Sequence, residues 1–167
     1  MKKYTVLLLF IMGCYNPFAP GLTEREDSTS PIITNQETPK DVLTNFRYAY
    51  VFKDSLIYSD LLDSTFIFIS KNYGTTPPTD INWGRDIDIK TTVGLFRHFN
   101  TLELNWGGIL IYNFYEDSTL SEIKITFQLT LDGGREIPTV KGEALFNFRK
   151  RPMGIWTITR WEDLSSF

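Results

Sequence analysis

The stretch Ile123-Lys-Ile-Thr-Phe-Gln-Leu-Thr-Leu131 decides how the chain folds. Ile123, Ile125, Phe127, Leu129 and Leu131 alternate without exception with Lys124, Thr126, Gln128 and Thr130. Successive side chains of a strand point to opposite faces, so this period of two predicts a long strand with one buried and one wet face. Asp132-Gly133-Gly134 follows as turn chemistry, and Ala144, Phe146 and Phe148 alternate in the next segment. Arg149–Gly154 turns again, three cations bracketed by Phe148 and Pro152, into Trp156-Thr-Ile158-Thr-Arg-Trp161. On the amino-terminal side, Leu102, Leu104 and Trp106 alternate with Glu103 and Asn105. Gly107-Gly108 then suggests a bulge before Ile109–Tyr115. Four consecutive antiparallel strands are therefore expected from residue 101 onward.

Further upstream the period changes. Thr38-Pro39-Lys40-Asp41 combines an N-cap residue, a proline at the first helical position and an acid at the third. Val42, Leu43, Phe46, Ala49 and Tyr50 then recur at three- and four-residue spacing, predicting a helix to about Lys53. Asp54-Ser55 reads as a second cap, with Leu56, Tyr58, Leu61 and Leu62 on a short helix ending near Asp63. Thr65–Ile69 has the β-branched and aromatic composition of a strand. Lys71–Asn82, with Gly74, Pro77 and Pro78, is expected to be loop. A third helix is expected from about Arg85 to Phe99, with Ile89, Val93, Leu95, Phe96 and Phe99 facing inward. Helices grouped ahead of an antiparallel sheet predict an α+β domain.

The first residues carry an address. Lys2 and Lys3 precede an apolar run from Tyr4 to Met12, followed by Gly13 and Cys14, the pattern of an export signal. As a helix the ten residues Tyr4 to Gly13 span about 15 Å, half of the roughly 30 Å hydrocarbon core, too short for a permanent anchor. Ile11-Met12-Gly13-Cys14 resembles the lipobox of bacterial lipoproteins, with Ile-Met where Leu followed by Ala or Ser is commoner. The resemblance implies cleavage of residues 1–13, diacylglycerol on Cys14 and a membrane partner reached through the lipid. Tyr15 rather than Asp after the cysteine implies the outer membrane of a bacterial cell envelope. From Tyr15 to Glu37 the chain is polar, holds three prolines outside any period, and reads as a flexible linker after the lipidated residue. The expected organisation is thus a signal peptide over 1–13, a lipidated tether over 14–37 and one domain over 38–167.

Composition excludes several classes. The 167 residues contain 17 Lys+Arg, 20 Asp+Glu, one His and one Cys. Without a basic block there is no counterion-releasing surface for nucleic acid. One cysteine allows no internal disulfide, and one His with one Cys leaves structural zinc without its usual ligands, so no metal is expected. No Ser/His/Asp order, HExxH or phosphate-cradling glycine loop occurs, and no cofactor is implied. Removing residues 1–13 takes away Lys2 and Lys3, leaving 15 Lys+Arg against 20 Asp+Glu, a formal −5. Attachment would then rest on acyl chains and not on a basic face.

The order helix, short helix, strand, helix and then sequential strands resembles the nuclear transport factor 2-like superfamily, including its SnoaL-like and cystatin-like α+β members. The closing Gly154-Ile-Trp156-Thr-Ile158 resembles a pattern frequent in that superfamily's last strand. The resemblance covers about Thr38 to Phe167. It implies helices packed on a curved, mostly antiparallel sheet forming a cone, with ligands entering the cone. Trp83, Trp106, Tyr112, Phe127, Phe146 and Trp156 are candidates for its wall, unless these rings simply fill the cone as core. In the isomerase branch a tyrosine of the first helix donates to an oxyanion and a carboxylate near the first strand acts as base. Tyr48 or Tyr50 and Asp63 occupy comparable places in this chain. His98 is the only imidazole, and it also suits the carboxyl end of a helix without any catalytic use. Asp60, Asp86 and Asp88 read equally well as caps or solvated residues. Strict alternation places Trp161 opposite Trp156, on the outer sheet face with Leu145, where a homodimer or a protein partner would dock. A non-catalytic module binding a protein or a small apolar ligand is the leading expectation. The alternative is a cavity enzyme of isomerase, dehydratase or hydrolase type working through Asp, Tyr and His.

Overall fold

The computed structural model describes residues 33–134 and 137–165. Helix α1, Pro39–Phe52, begins at a capping box: Thr38 Oγ1 accepts from the Asp41 amide at 3.2 Å and Asp41 Oδ2 accepts from the Thr38 amide at 2.9 Å. It ends at Lys53 in the left-handed conformation, whose amide bonds back to Ala49 and Tyr50. Asp54 Oδ1 then accepts from the amides of Leu56 and Ile57, both at 3.0 Å, and starts α2, Ser55–Leu61. Strand β1, Leu62–Asn72, and β2, Thr79–Gly84, form a hairpin before α3, Arg85–His98. Four strands follow: β3, Thr101–Tyr115; β4, Leu120–Asp132; β5, Thr139–Lys150; and β6, Trp156–Asp163.

Among the described residues one sheet runs in the order β2-β1-β6-β5-β4-β3. All neighbours are antiparallel except β1 and β6, which are parallel. The four expected strands are therefore joined by a first hairpin, with β1 laid beside the last strand. The helices cover one face, and the core lies between them and the sheet. Phe46 of α1 is its hub, meeting Tyr50, Tyr58, Trp106, Phe146 and Trp161 at ring-centroid distances from 4.8 to 5.7 Å.

Three local readings are corrected. Of the expected loop Lys71–Asn82, Lys71 and Asn72 end β1 and Thr79–Asn82 lie in β2: Ile69 pairs with Asn82 and Lys71 with Asp80, whose side chains form an ion pair. The residues of β2 are mostly exposed, so this edge strand carries no apolar alternation to betray it. The buried line of α3 is Asp88, Thr92 and Phe96, with Ile89, Leu95 and Phe99 packed beside it. Residues 33–37, expected in the tether, are bound to the domain. Thr34 N donates to Asn45 Oδ1 at 2.8 Å, and Gln36 O accepts from Trp156 N at 2.9 Å.

Gly107 stands where the register of β3 on β4 shifts, between Trp106 and Ile109. A Cβ there would lie 2.2 Å from Thr126 Oγ1, so the two backbones approach only because the side chain is missing. A second bulge has the larger consequence. Phe148 faces Ile158, Asn147 faces Arg160 and Phe146 faces Trp161, so Thr159 is one residue extra in β6. One inserted residue inverts the alternation. Trp161 consequently packs inside, on Phe46, Phe68 and Phe146, rather than on the outer face with Leu145.

Candidate functional site

The concave side of the sheet holds a small cavity. Phe46 and Tyr50 of α1 close it from the helical side. Leu104 and Trp106 of β3, Phe127 and Leu129 of β4, Ala144 of β5 and Trp161 of β6 form its floor. Its volume is about 40 Å³. Pockets that take drug-sized ligands measure roughly 300–1,000 Å³. The wall is almost wholly carbon. Trp106 Nε1 turns away to donate to Leu43 O at 2.9 Å, while Trp161 Nε1 is buried with no acceptor. A water needs two or more polar partners to settle in such a space, and a single indole N–H does not supply them.

Of the six aromatic residues expected on the wall, Trp106 and Phe127 line this cavity. Phe146 is fully buried behind it. Trp83 stacks on Phe68 at 4.3 Å, at the β2 edge of the sheet. Trp156 is buried at the other end of the core against Phe114, and Tyr112 lies beneath the Lys40 ammonium at 5.0 Å. The cone is filled chiefly by its own rings.

Beside the cavity is a buried polar cluster of which the sequence singled out Tyr50 but not Tyr58, with Asp88 read only as a cap or a solvated residue. Asp88 is 3% exposed. Tyr58 OH donates to its Oδ2 at 2.5 Å and Trp83 Nε1 donates to its Oδ1 at 2.9 Å. Tyr50 stands edge-on to Tyr58 at 5.8 Å and joins the cluster to the cavity. Burial raises the pKa of Asp88, and the hydrogen bonds from Tyr58 and Trp83 partly oppose it. Burial also raises both tyrosines; the nearby Asp88 charge adds to this. The two phenols are therefore held neutral, and each carboxylate oxygen of Asp88 already accepts a hydrogen bond. The four-residue spacing of Asp88, Thr92 and Phe96 was the available signal, but a helix line with two polar members does not read as an inner face.

The other candidates stand apart. Tyr48 is on the far side of α1 from Phe46, its ring tilted against that of Phe52 at 4.5 Å. His98 is exposed at the end of α3, edge-on to Phe99 at 4.8 Å. Asp63 is buried, but on the sheet face opposite Leu62 and Ile158. There it accepts from the Thr65 amide at 3.0 Å, Thr65 Oγ1 at 2.9 Å and Thr157 Oγ1 at 3.2 Å. Arg149, at the end of β5, and Arg151, just beyond it, lie 3.9 and 3.6 Å from its oxygens. Burial alone would raise the pKa of Asp63, but the Thr65 and Thr157 hydrogen bonds and the Arg151 charge outweigh burial and lower it. Neither His98 nor Asp63 meets a tyrosine inside the cone. Among the described residues no group of His, Cys, Asp and Glu is arranged to hold a metal ion. Cys14 lies outside the described residues.

The overall fold recurs in solved structures. The fold is the nuclear transport factor 2-like cone. A superfamily protein of that name from Salmonella enterica superposes with a TM-score of 0.61 at 11% identity, over 76% of this chain and 87% of its own. A conserved Planctomyces limnophilus protein gives 0.61 at 15% identity, over 74% and 89%. A candidate scytalone dehydratase from Novosphingobium aromaticivorans gives 0.63 at 16% identity, over 77% and 81%. At these identities the likeness is one of fold. No family model matches the chain, and no curated protein matches it in sequence. A fold does not fix a use, and the use in this chain must be argued from its own side chains.

Proposed function

We propose that the protein is a lipid-anchored component of a bacterial cell envelope, held on the outer membrane through Cys14, whose cone is a non-catalytic scaffold offering its surface to a protein partner. The observation that carries the non-catalytic reading is the interior itself. A cavity of about 40 Å³ walled by rings leaves no room for a substrate. Asp63, Tyr48 and His98 lie outside it, and Asp88 spends both oxygens on Tyr58 and Trp83. The anchoring reading is supported by Lys2-Lys3, the apolar run to Met12 and Ile11-Met12-Gly13-Cys14. No helix among the described residues is long and apolar enough to cross a membrane. Two or three acyl chains on Cys14 would suffice, each buried CH₂ contributing about 0.8 kcal/mol.

Fractionation of a diderm host fed labelled palmitate tests the anchor. The native chain is expected in the outer-membrane fraction carrying label, and Cys14→Ala in the soluble fraction without it. An unlabelled native chain, or a Cys14→Ala chain retained equally by membranes, contradicts the reading. One observation favours the cavity-enzyme alternative: Asp88 with Tyr58 and Tyr50 next to the cavity is a set of titratable groups of the kind such enzymes use. That alternative requires the cone to open to a ligand.

A further inference from the structure

The described chain begins at one end of the sheet, and exposed apolar side chains gather around that point. Gln36 O holds Trp156 N, which pins residues 33–37 beside the start of β6. The Trp156 ring meets Phe114 edge-on at 5.9 Å, and Phe114 lies 5.0 Å from Tyr112. On the other side, Thr34 to Glu37 share a groove with Met153, Gly154 and Ile155. Ile33, Phe114 and Tyr115 each expose nearly half of their surface, and Met153 exposes 87%. The charges there are balanced. Lys40, Arg149, Lys150 and Arg151 stand among Glu37, Glu116 and Asp117, and Asp63 holds the two arginines.

We propose that this end of the domain, presented by Ile33, Phe114, Tyr115 and Met153, is a membrane-contacting face that seats the domain on the bilayer carrying the Cys14 anchor. The proposal rests on the lipid-anchor reading above. Only residues 15–32 separate Cys14 from Ile33. A chain of that length reaches at most about 65 Å. The face beside its attachment point is therefore held at high local concentration over the membrane, where contacts too weak for independent binding are occupied. Large apolar side chains rimmed by Tyr, Lys and Arg suit the interfacial zone, with the long cationic stems reaching back to the headgroups. Because Glu37, Glu116 and Asp117 offset the cations, the seat is apolar and does not depend on anionic lipid.

The test uses the full lipidated chain reconstituted into phosphatidylcholine vesicles, carrying Met153→Cys or, as a control, Ile137→Cys. Ile137 is also well exposed, but it follows the far end of β4. The length of that strand is roughly 40 Å. Lipid occupies the Cys14 thiol, so maleimide reports on the introduced cysteine alone. The proposal expects Met153→Cys to react at least fivefold more slowly on vesicles than in the unlipidated Cys14→Ala chain. It expects Ile137→Cys to react alike in both, and added 0.5 M salt to change neither rate. Equal rates at position 153 on and off vesicles would overturn it. So would protection that persists in the unlipidated chain without vesicles, which would mean that a second copy covers the face. Failure of the anchor reading is seen separately, as a native chain that carries no lipid.

Discussion

The two faces of the sheet each bury an aspartate, and they treat it in opposite ways. On the concave side Asp88 is surrounded by rings and receives two hydrogen bonds, from Tyr58 and Trp83. Its pKa is raised because the cost of burying charge exceeds what two neutral donors return. On the outer side Asp63 receives three hydrogen bonds, from Thr65 and Thr157, and lies beside Arg149 and Arg151, and its pKa is lowered. A buried carboxylate in a cone is therefore not by itself a poised base. What it can do depends on whether its oxygens are free and whether a substrate can reach them; at Asp88 each oxygen already accepts a hydrogen bond, and the cavity beside it measures about 40 Å³.

The comparison breaks most readily at the concave packing. Phe46→Ala removes the ring on which α1, α2 and three strands converge, and a loss of about 3–5 kcal/mol is expected in urea unfolding. A loss below about 1 kcal/mol would mean that the interior is looser than described. Tyr58→Phe deletes one donor to Asp88 and keeps the ring. It should cost about 1–3 kcal/mol at neutral pH, because a buried carboxylate oxygen is left without its partner. Asp63→Asn should cost about 1 kcal/mol at neutral pH, since the Arg149 and Arg151 charges beside it are half exposed and screened by water.

The pH dependence sharpens the contrast further, and its sign differs between the faces. Asp88 has a folded pKa above the unfolded value, so its contribution favours the folded state most below the unfolded pKa and is lost as pH rises through the folded one. Asp63 has a folded pKa below the unfolded value, so its stabilisation is present above the unfolded pKa and is lost as pH falls through the folded one. Unfolding free energies between pH 3 and 7 are expected to gain upward slope in Asp88→Asn and to lose it in Asp63→Asn, relative to the native chain. The same sign of change in both variants would contradict the assignment. Trp161→Phe is the smallest effect. It removes a buried N–H that has no acceptor, and stability should stay within about 1 kcal/mol of the native chain.

Much of this architecture was legible wherever one local signal sufficed. Thr38-Pro39-Lys40-Asp41 marked the start of α1 because a capping box is a property of four adjacent residues. Ile123–Leu131 marked β4 because its two faces meet different surroundings along its whole length. Strand β2 was hidden because an exposed edge strand needs no apolar alternation. Trp161 was placed on the wrong face because the single extra residue Thr159 inverts the parity of β6, and nothing local in Thr157-Ile-Thr-Arg-Trp161 announces a bulge. Asp88 was missed for a different reason. Its inward position depends on donors supplied by α2 and β2, which lie 30 and 5 residues away along the chain.

The central claim is that the cone is closed by its own side chains, and the orphaned Trp161 indole is the natural reporter. Proton–nitrogen NMR of the folded domain resolves the indole N–H groups, and Trp161→Phe assigns the one in the cavity. Titration with millimolar indole or a small aromatic ketone is expected to leave the Trp161 N–H unshifted in the native chain. Phe127→Ala, which enlarges the cavity, should yield a saturable shift. A saturable micromolar shift of Trp161 in the native chain would show that the cone opens to ligand, and it would contradict the account.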